Sequence, residues 1–410
     1  MSKTILVWIL VLVTLPSAVY AGGYRVSLQG VRQAALGAQG SALSHDASVA
    51  FFNPAALAFV DSKLSVAVGG FGINVTAKYQ NPQTLGTAET NNPMGTPLYA
   101  AISYKPIDDL AVGVSFTTPF GSTVDWGNEW EGRYMINDIS LKSYFIQPTL
   151  AYKFTDWFAV GGSVIIGMGE VSIARSVAVG NQDATLALES KDAKGMGYSI
   201  GAYIRPHDRV NVGLSYRSNV NMEVEGGTAT WSNVPGAVTG NMPFATNRFR
   251  AQLPLVSEFL AGVTFQATPR LMLAGEVGGV GWEAYRSLDI YLQNGGSEYP
   301  SIATKNYKNT FNYSFGAEYN VVDNFDVRLG YKFDGTPSPD QHFSPETPTT
   351  DLHIFAGGLG YRIGGFGIDA MAEYIYGAER NISNADAGFY GNLLVRGFAF
   401  GLGLSYNLGQ

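Results

Sequence analysis

The chain has 410 residues, of which 14% are charged and 13% aromatic, with 50 glycines, no cysteine and a formal charge of −7. Ordinary soluble domains carry about 25% charged residues, so something other than water faces much of this surface. The missing cysteines exclude disulfide scaffolds, thiolate metal sites and cysteine nucleophiles, and the negative balance leaves no electrostatic basis for nucleic-acid binding.

Residues 1–21 carry Lys3, an apolar run from Ile5 to Leu15, then Pro16 and the small-residue site Val19-Tyr20-Ala21. They read as a secretory signal peptide cleaved before Gly22. A spanning helix needs roughly 20 apolar residues, and no run of that length follows.

Residues 22–60 are rich in Ala, Gly and Ser, as in "QAALGAQGSALS", and their small side chains permit close backbone packing. Asn53-Pro54-Ala55 has the chemistry of a helix start, with Asn53 as N-cap and Pro54 at the first helical position. Taken alone, the tripeptide marks a cap or a turn.

From Leu64 onward the period is two. In "NFDVRLGYKFD", Phe325, Val327, Leu329, Tyr331 and Phe333 share one face, with Asp326, Arg328, Gly330 and Lys332 on the other. The same alternation runs through "FNYSFGAEY" and "GFAFGLGLSYNL". A soluble sandwich would cover its outer face with many Lys and Glu, and the charges here are too sparse for that. Short turns are predicted at 105–110, 154–157, 205–209, 266–270, 320–324 and 362–366. Long polar or irregular stretches lie between them, at about 75–96, 119–138, 176–193, 225–252, 287–306, 335–349 and 380–391. Alternating short turns and long loops, with both chain ends on the short-turn side, imply a transmembrane antiparallel β-barrel of about 14 strands over residues 61–410. Tyr104, Phe154, Trp157, Phe265, Phe325, Tyr361, Phe366 and Tyr406 fall near the short turns, where an interfacial girdle belongs. Trp126, Trp130, Trp231, Trp282, Tyr374 and Tyr376 fall toward the long loops. The chain ends Leu408-Gly409-Gln410, without the terminal aromatic that many barrels carry. A barrel of this width, between the side-chain-filled eight-stranded kind and the open porins, needs a plug. Residues 22–60 are long enough to be that hatch.

Two segments carry a specific resemblance: the mature start "AGGYRVSLQGVRQAALGAQGSALSHDASVAFFNPAALA", and "TTPFGSTVDWGNEWEGRYMINDISLKSYFIQPTLAYKF" at 117–154. Together they resemble the FadL-type outer-membrane transporters of long-chain fatty acids, a family that also includes uptake channels for aromatic hydrocarbons. The resemblance implies a self-sufficient monomer of fourteen strands, seated in outer-membrane lipid, with the hatch in its bore and no cofactor. It also implies a third strand that kinks inward to open a gap in the wall, and a hatch that places Asn53, Pro54 and Ala55 near that gap. Here the third strand, from Leu110 to about Thr118, runs into Pro119-Phe120-Gly121. Proline cannot donate to a ladder and glycine weakens one, so the break falls there or nearer Gly113.

The implied partner is a hydrophobic small molecule, a fatty acid or a monoaromatic hydrocarbon, released sideways through the gap. Capture is assigned to the loop at 225–252, unusually apolar with Trp231, Val234, Val238, Met242 and Phe244, together with Leu186 and Leu188. These loops could equally pack on one another as a lid. Arg217 and Arg328 are candidates for a carboxylate head group. Alternatively they pair with Glu276, Glu318 and Glu373 to anchor the hatch.

Two rival classes stay open. A general diffusion porin would have a wet bore and no plug. An outer-membrane lipid hydrolase or acyltransferase could use His45, Asp46 and Ser48, although sequence neighbours converge poorly as a triad. His207, His342 and His353 lack metal-like spacing. The glycine runs "GGFGIN", "GGVGWE" and "GGFGID" sit inside strands rather than ahead of helices, so they do not read as phosphate loops.

Overall fold

The computed structural model describes residues 22–409, so the signal-peptide assignment to residues 1–21 and the terminal Gln410 lie outside the described residues. Fourteen antiparallel strands form the wall. The first six are β1 (Leu64–Gln80), β2 (Leu98–Ile107), β3 (Leu110–Thr117, resuming at Gly121–Asp125), β4 (Asp138–Thr155), β5 (Phe158–Val179) and β6 (Gln182–His207). Then come β7 (Val210–Arg217 and Val220–Ser232), β8 (Arg248–Leu255 and Glu258–Thr268), β9 (Leu271–Val280 and Ser287–Asn294) and β10 (Ser297–Thr304 and Thr310–Val322). The wall finishes with β11 (Phe325–Asp334), β12 (Leu352–Ile363), β13 (Phe366–Gly377 and Arg380–Asn384) and β14 (Phe389–Leu408). Each strand pairs with its sequence neighbour, and β1 pairs with β14 from Leu64↔Leu408 to Gln80↔Asn392, which closes the barrel. Closure leaves no open edge, the condition for strands to cross lipid.

The alternation has the reverse sense of a soluble sheet. On β11 Leu329 is 67% exposed while its neighbour Arg328 is 1% exposed, because the apolar face looks outward to lipid and the charged face inward. The six short turns fall where the pattern predicts them. Tyr104, Phe154, Trp157, Phe265, Tyr361 and Phe366 are exposed beside them as the expected girdle.

At the other end the structure corrects the loop reading. The stretches at 176–193, 287–306 and 380–391 are largely paired strand, closed by tight turns at 180–181, 295–296 and 385–388. Above the membrane the alternation inverts: Ala184, Leu186 and Leu188 face inward, whereas lower on the same strand Met196, Tyr198 and Ile200 face outward. An irregularity in the β5–β6 register, between Gly169↔Ala193 and Val171↔Ser190, makes the switch. The result is an apolar core inside the outer end of the barrel, containing Phe145, Leu186, Leu188, Phe249, Trp282 and Tyr307. Trp126, Trp130 and Trp282 are therefore buried inside and do not join the outward girdle; Trp126 stacks on Trp130 at 4.5 Å.

Residues 24–60 are almost wholly buried against the inward faces of the strands. They hold one short α-helix (Val31–Ala35), a turn of helix (Val49–Phe52) and a 3-10 helix (Pro54–Phe59), buried through alanines together with Phe51, Phe52, Leu57 and Phe59.

Candidate functional site

The N-terminal segment is tied to the wall by charges and hydroxyls on many strands. Arg25 pairs with Glu258 and, at 2.9 Å, with Asp334; Arg32 pairs with Glu318 at 2.5 Å. Glu276 accepts from the backbone N–H of Ser41 at 2.8 Å and of Gly40 at 3.2 Å. Tyr203 donates to Ala42 O at 3.0 Å, Ser215 to Phe52 O at 2.6 Å and Lys332 to Ser27 Oγ at 2.8 Å. Buried carboxylates and cations of this kind are tolerated only when paired, so the segment and the wall complete one another electrically.

Both arginines singled out from the sequence belong to these networks. Arg217 binds Glu258 at 3.2 Å and donates to Phe51 O at 2.7 Å. Arg328 lies within 2.5 Å of Glu318, 3.1 Å of Asp326 and 2.5 Å of Asp369. All three Arg328 nitrogens are taken by carboxylates. Arg217 keeps a buried Nε without a partner, but its two other nitrogens are engaged and its guanidinium face lies 3.9 Å over the Phe51 ring.

Asn53 is fully buried and caps the 3-10 helix, accepting from Ala55 N at 3.1 Å. Its Nδ2 donates to Ser41 O at 2.8 Å and to Ala202 O at 3.0 Å. Asn53 to Ala55 pack on Gly161 of β5 and Gly201 of β6, where any Cβ would overlap Asn53 Oδ1 or the Ala55 backbone. The tripeptide thus sits toward the short-turn end of β5 and β6, and Leu57 beyond it reaches β3 at Gly113.

The third strand is unbroken at Gly113, which pairs with Ser103 on one side and Thr149 on the other. It breaks at Thr118–Phe120. Pairing with β2 ends at Tyr99↔Thr117, and the upper piece Gly121–Asp125 pairs with β4 alone. The freed backbone groups turn to the N-terminal segment instead. Val26 N donates to Pro119 O at 2.8 Å, Gly121 N to Tyr24 O at 3.0 Å, and the Gln29 amide takes both Thr118 N and Thr118 O at 3.0 Å. Residues 24–29, rather than 53–55, therefore abut the broken wall. Phe120 is buried against Tyr24 and Phe145, with ring centroids at 6.2 and 5.9 Å.

Above the break, beneath the outer loops, lies a narrow cleft of about 60 Å³. Ile173, Leu186, Leu188, Leu288, Ile290 and Leu292 line it, with Arg175, Ser301 and Glu346 as its polar groups. Glu346 is already held by Lys305. Arg175 donates to Ser301 Oγ at 3.1 Å and, among the described residues, has no carboxylate within ion-pair reach. Typical ligand sites measure about 300–1,000 Å³, so a bulky guest enters this cleft only as the lining side chains turn aside. Sequence reading missed Arg175 because it stands at the edge of a stretch taken for loop. The inward alternation of Ile173, Arg175 and Val177 would have been the signal.

Of the residues proposed for capture, Leu186 and Leu188 line this cleft, and Leu186 stands opposite Trp231 across the β6–β7 ladder. Trp231 packs on Phe244 at 5.0 Å and donates to Thr246 Oγ1 at 3.0 Å. Val234 and Val238 are half-buried and Met242 is 38% exposed at the loop tip, apart from the cleft lining. The hydrolase constellation does not assemble as a triad: Ser48 Oγ donates to Asp46 Oδ1 at 2.5 Å, and His45 lies 3.6 Å from the other Asp46 oxygen.

Comparison with known proteins accords with this architecture. A Neisseria meningitidis serogroup B outer membrane protein is 23% identical, the alignment spanning 90% of this chain and 89% of that protein. The solved structure of a Pseudomonas aeruginosa FadL homologue superposes with a TM-score of 0.81 at 21% identity, covering 95% of this chain and all of the other. The Ralstonia pickettii toluene transporter TbuX superposes at 0.71 with 16% identity, covering 93% and 98%. Residues 12–408 match the family described as outer membrane protein transport protein (OMPP1/FadL/TodX), and this outer-membrane β-barrel belongs to that family of transport proteins.

Proposed function

We propose that this barrel takes up hydrophobic molecules bearing an acidic head group, long-chain fatty acids foremost. In this reading the cargo is captured in the cleft beneath the outer loops and released sideways at the third-strand break, with residues 22–60 acting as the hatch. The observation that carries the reading is Arg175, a cation set among Ile173, Leu186, Leu188 and Leu288 with a hydroxyl for its partner. A guanidinium in apolar surroundings is matched by a carboxylate joined to an alkyl chain. Lateral release suits the same cargo. Moving about 15 methylenes from lipid into water costs on the order of 12 kcal/mol, at roughly 0.8 kcal/mol each, and passage through the wall avoids that step. The likeness to a toluene transporter supports a second reading, a monoaromatic cargo, to which Arg175 would be indifferent.

The test is uptake of labelled oleate and labelled toluene by cells lacking their own transporter and expressing the native chain or Arg175→Met at equal membrane levels. A charge-assisted hydrogen bond contributes roughly 1.5–3 kcal/mol, so oleate capture should weaken by about 10- to 100-fold in the variant. Toluene carried with oleate ignored would overturn the fatty-acid reading, as would oleate uptake that Arg175→Met leaves intact.

A further inference from the structure

The outward surface of β6 to β9 changes character at one level. Below it the exposed residues are apolar: Met196, Tyr198 and Ile200 on β6, Leu214 on β7, Phe259 and Val263 on β8, Leu273 and Val277 on β9. The strands are interrupted there, by the register irregularity in β6 and by the breaks after Arg217, Leu255 and Val280. Above it, one outward row pairs across all four strands as Lys194↔Glu223, Glu223↔Gln252 and Gln252↔Asp289. An apolar band ending in charge on the outside of a barrel marks the rim of the hydrocarbon layer. What faces this row in the membrane is the head-group layer of the outer leaflet.

The row is not flat. It opens into a groove of about 660 Å³ whose lining includes Asn221, Glu223, Glu225, Gln252, Arg286 and Asp289. Arg250, also in the groove, is engaged with Glu298 at 2.8 Å and lies over Tyr291 at 3.9 Å. The other charges are unused: among the described residues, no hydrogen-bond or ion-pair partner meets the side chains of Glu223, Glu225, Arg286 or Asp289, and Asp289 Oδ1 is buried without one.

We infer that this groove binds the saccharide head group of an outer-leaflet glycolipid. Three carboxylates and the side-chain amides of Asn219, Asn221 and Gln252 in one concavity accept from, and donate to, a surface of many hydroxyls, and Arg286, the guanidinium there that Glu298 does not engage, suits a phosphate carried on a sugar. A phospholipid head group brings at most one ammonium or a few hydroxyls to three carboxylates and three amides, far fewer hydrogen-bonding groups than a saccharide presents. A free oligosaccharide would lack acyl chains, which the apolar band directly below the groove accommodates. The groove lies on the outer wall, whereas the cargo cleft is inside, so this inference stands independently of the proposed cargo.

The test is native mass spectrometry of the full barrel extracted from outer membranes in mild detergent, with bound glycolipid and phospholipid counted per barrel. The native chain should retain about one glycolipid. Glu223→Gln with Asp289→Asn, which keeps shape and removes two anionic acceptors, should lower retention roughly tenfold, while phospholipid adducts and oleate uptake stay at native levels. Arg286→Gln should lower retention in the same direction. A native barrel without bound glycolipid, equal retention by the variants, or parallel loss of phospholipid adducts would overturn the inference.

Discussion

Arg328 is enclosed by Glu318, Asp326 and Asp369, whereas Arg175 meets a single serine hydroxyl among aliphatic side chains. Residue type is the same in the two places, and the surroundings decide whether the cation fastens the fold or stays available. Asp351, at the end of the outer loop 335–351, shows how surroundings also set titration. Burial pushes its carboxyl up from 3.8 to about 6, against the pull of Arg380, while Thr336 N donates to its Oδ1 at 3.1 Å. The folded loop thus favours the protonated acid. The stabilisation is full below the unfolded value near 3.8 and is lost as pH rises through about 6. Amide exchange in the loop should accordingly be slower at pH 5 than at pH 7.5 after correction for intrinsic rates. Asp351→Asn should abolish that difference, and an unchanged profile in the variant would assign the effect to another group.

At the scale of elements, the third strand is where local and global demands part. Through Thr117 it is an ordinary wall strand paired on both sides; from Thr118 to Phe120 its backbone is served by residues 24–29 of the N-terminal segment. Arg25 and Phe120 face each other as an antiparallel bridge, with the flanking hydrogen bonds of a non-hydrogen-bonded pair. In such pairs the Cα atoms lie about 4.5 Å apart, within the span of a disulfide. The native chain contains no cysteine, so Arg25→Cys with Phe120→Cys gives one unambiguous crosslink. If cargo leaves through the break, the oxidised double variant should lose uptake and a reductant should restore it. Native uptake in the oxidised form would exclude that route. Proline and glycine in "PFG" made a break legible in the sequence. Its other side was not, because the contact joins residues almost a hundred positions apart, and no local pattern reports which distant segment fills a vacant ladder position. The same limit applies to Asn53-Pro54-Ala55, whose cap chemistry was readable while its seat against Gly161 and Gly201 was not.

For the whole molecule, the governing fact is that the barrel has two solvents, lipid around its waist and water above and below. Leu329 projects outward from β11 with 67% of its surface exposed. Leu329→Arg should therefore destabilise refolding into lipid vesicles by roughly 2–4 kcal/mol, the range for a cation near the bilayer midplane. Urea titration in vesicles measures it, and a negligible change would mean that this face does not contact lipid. Period-two alternation, sparse charge and evenly spaced turns were enough to determine a closed barrel of fourteen strands, because each is a local property of a strand with lipid on one face. The outer third of the barrel was misread for a related reason. Above the membrane the alternation reverses and both faces carry polar residues, so 176–193 and 287–306 look like loops until their strand partners are known. Which residues meet across the bore is likewise fixed only by closure. Arg25 with Glu258 and Asp334, Arg175 with Leu288 and Ser301, and Gln29 with Thr118 are brought together by the circumference of the wall. Local chemistry thus determined what the wall is made of and where it turns, and tertiary closure decided which charges are spent holding the N-terminal segment and which remain free.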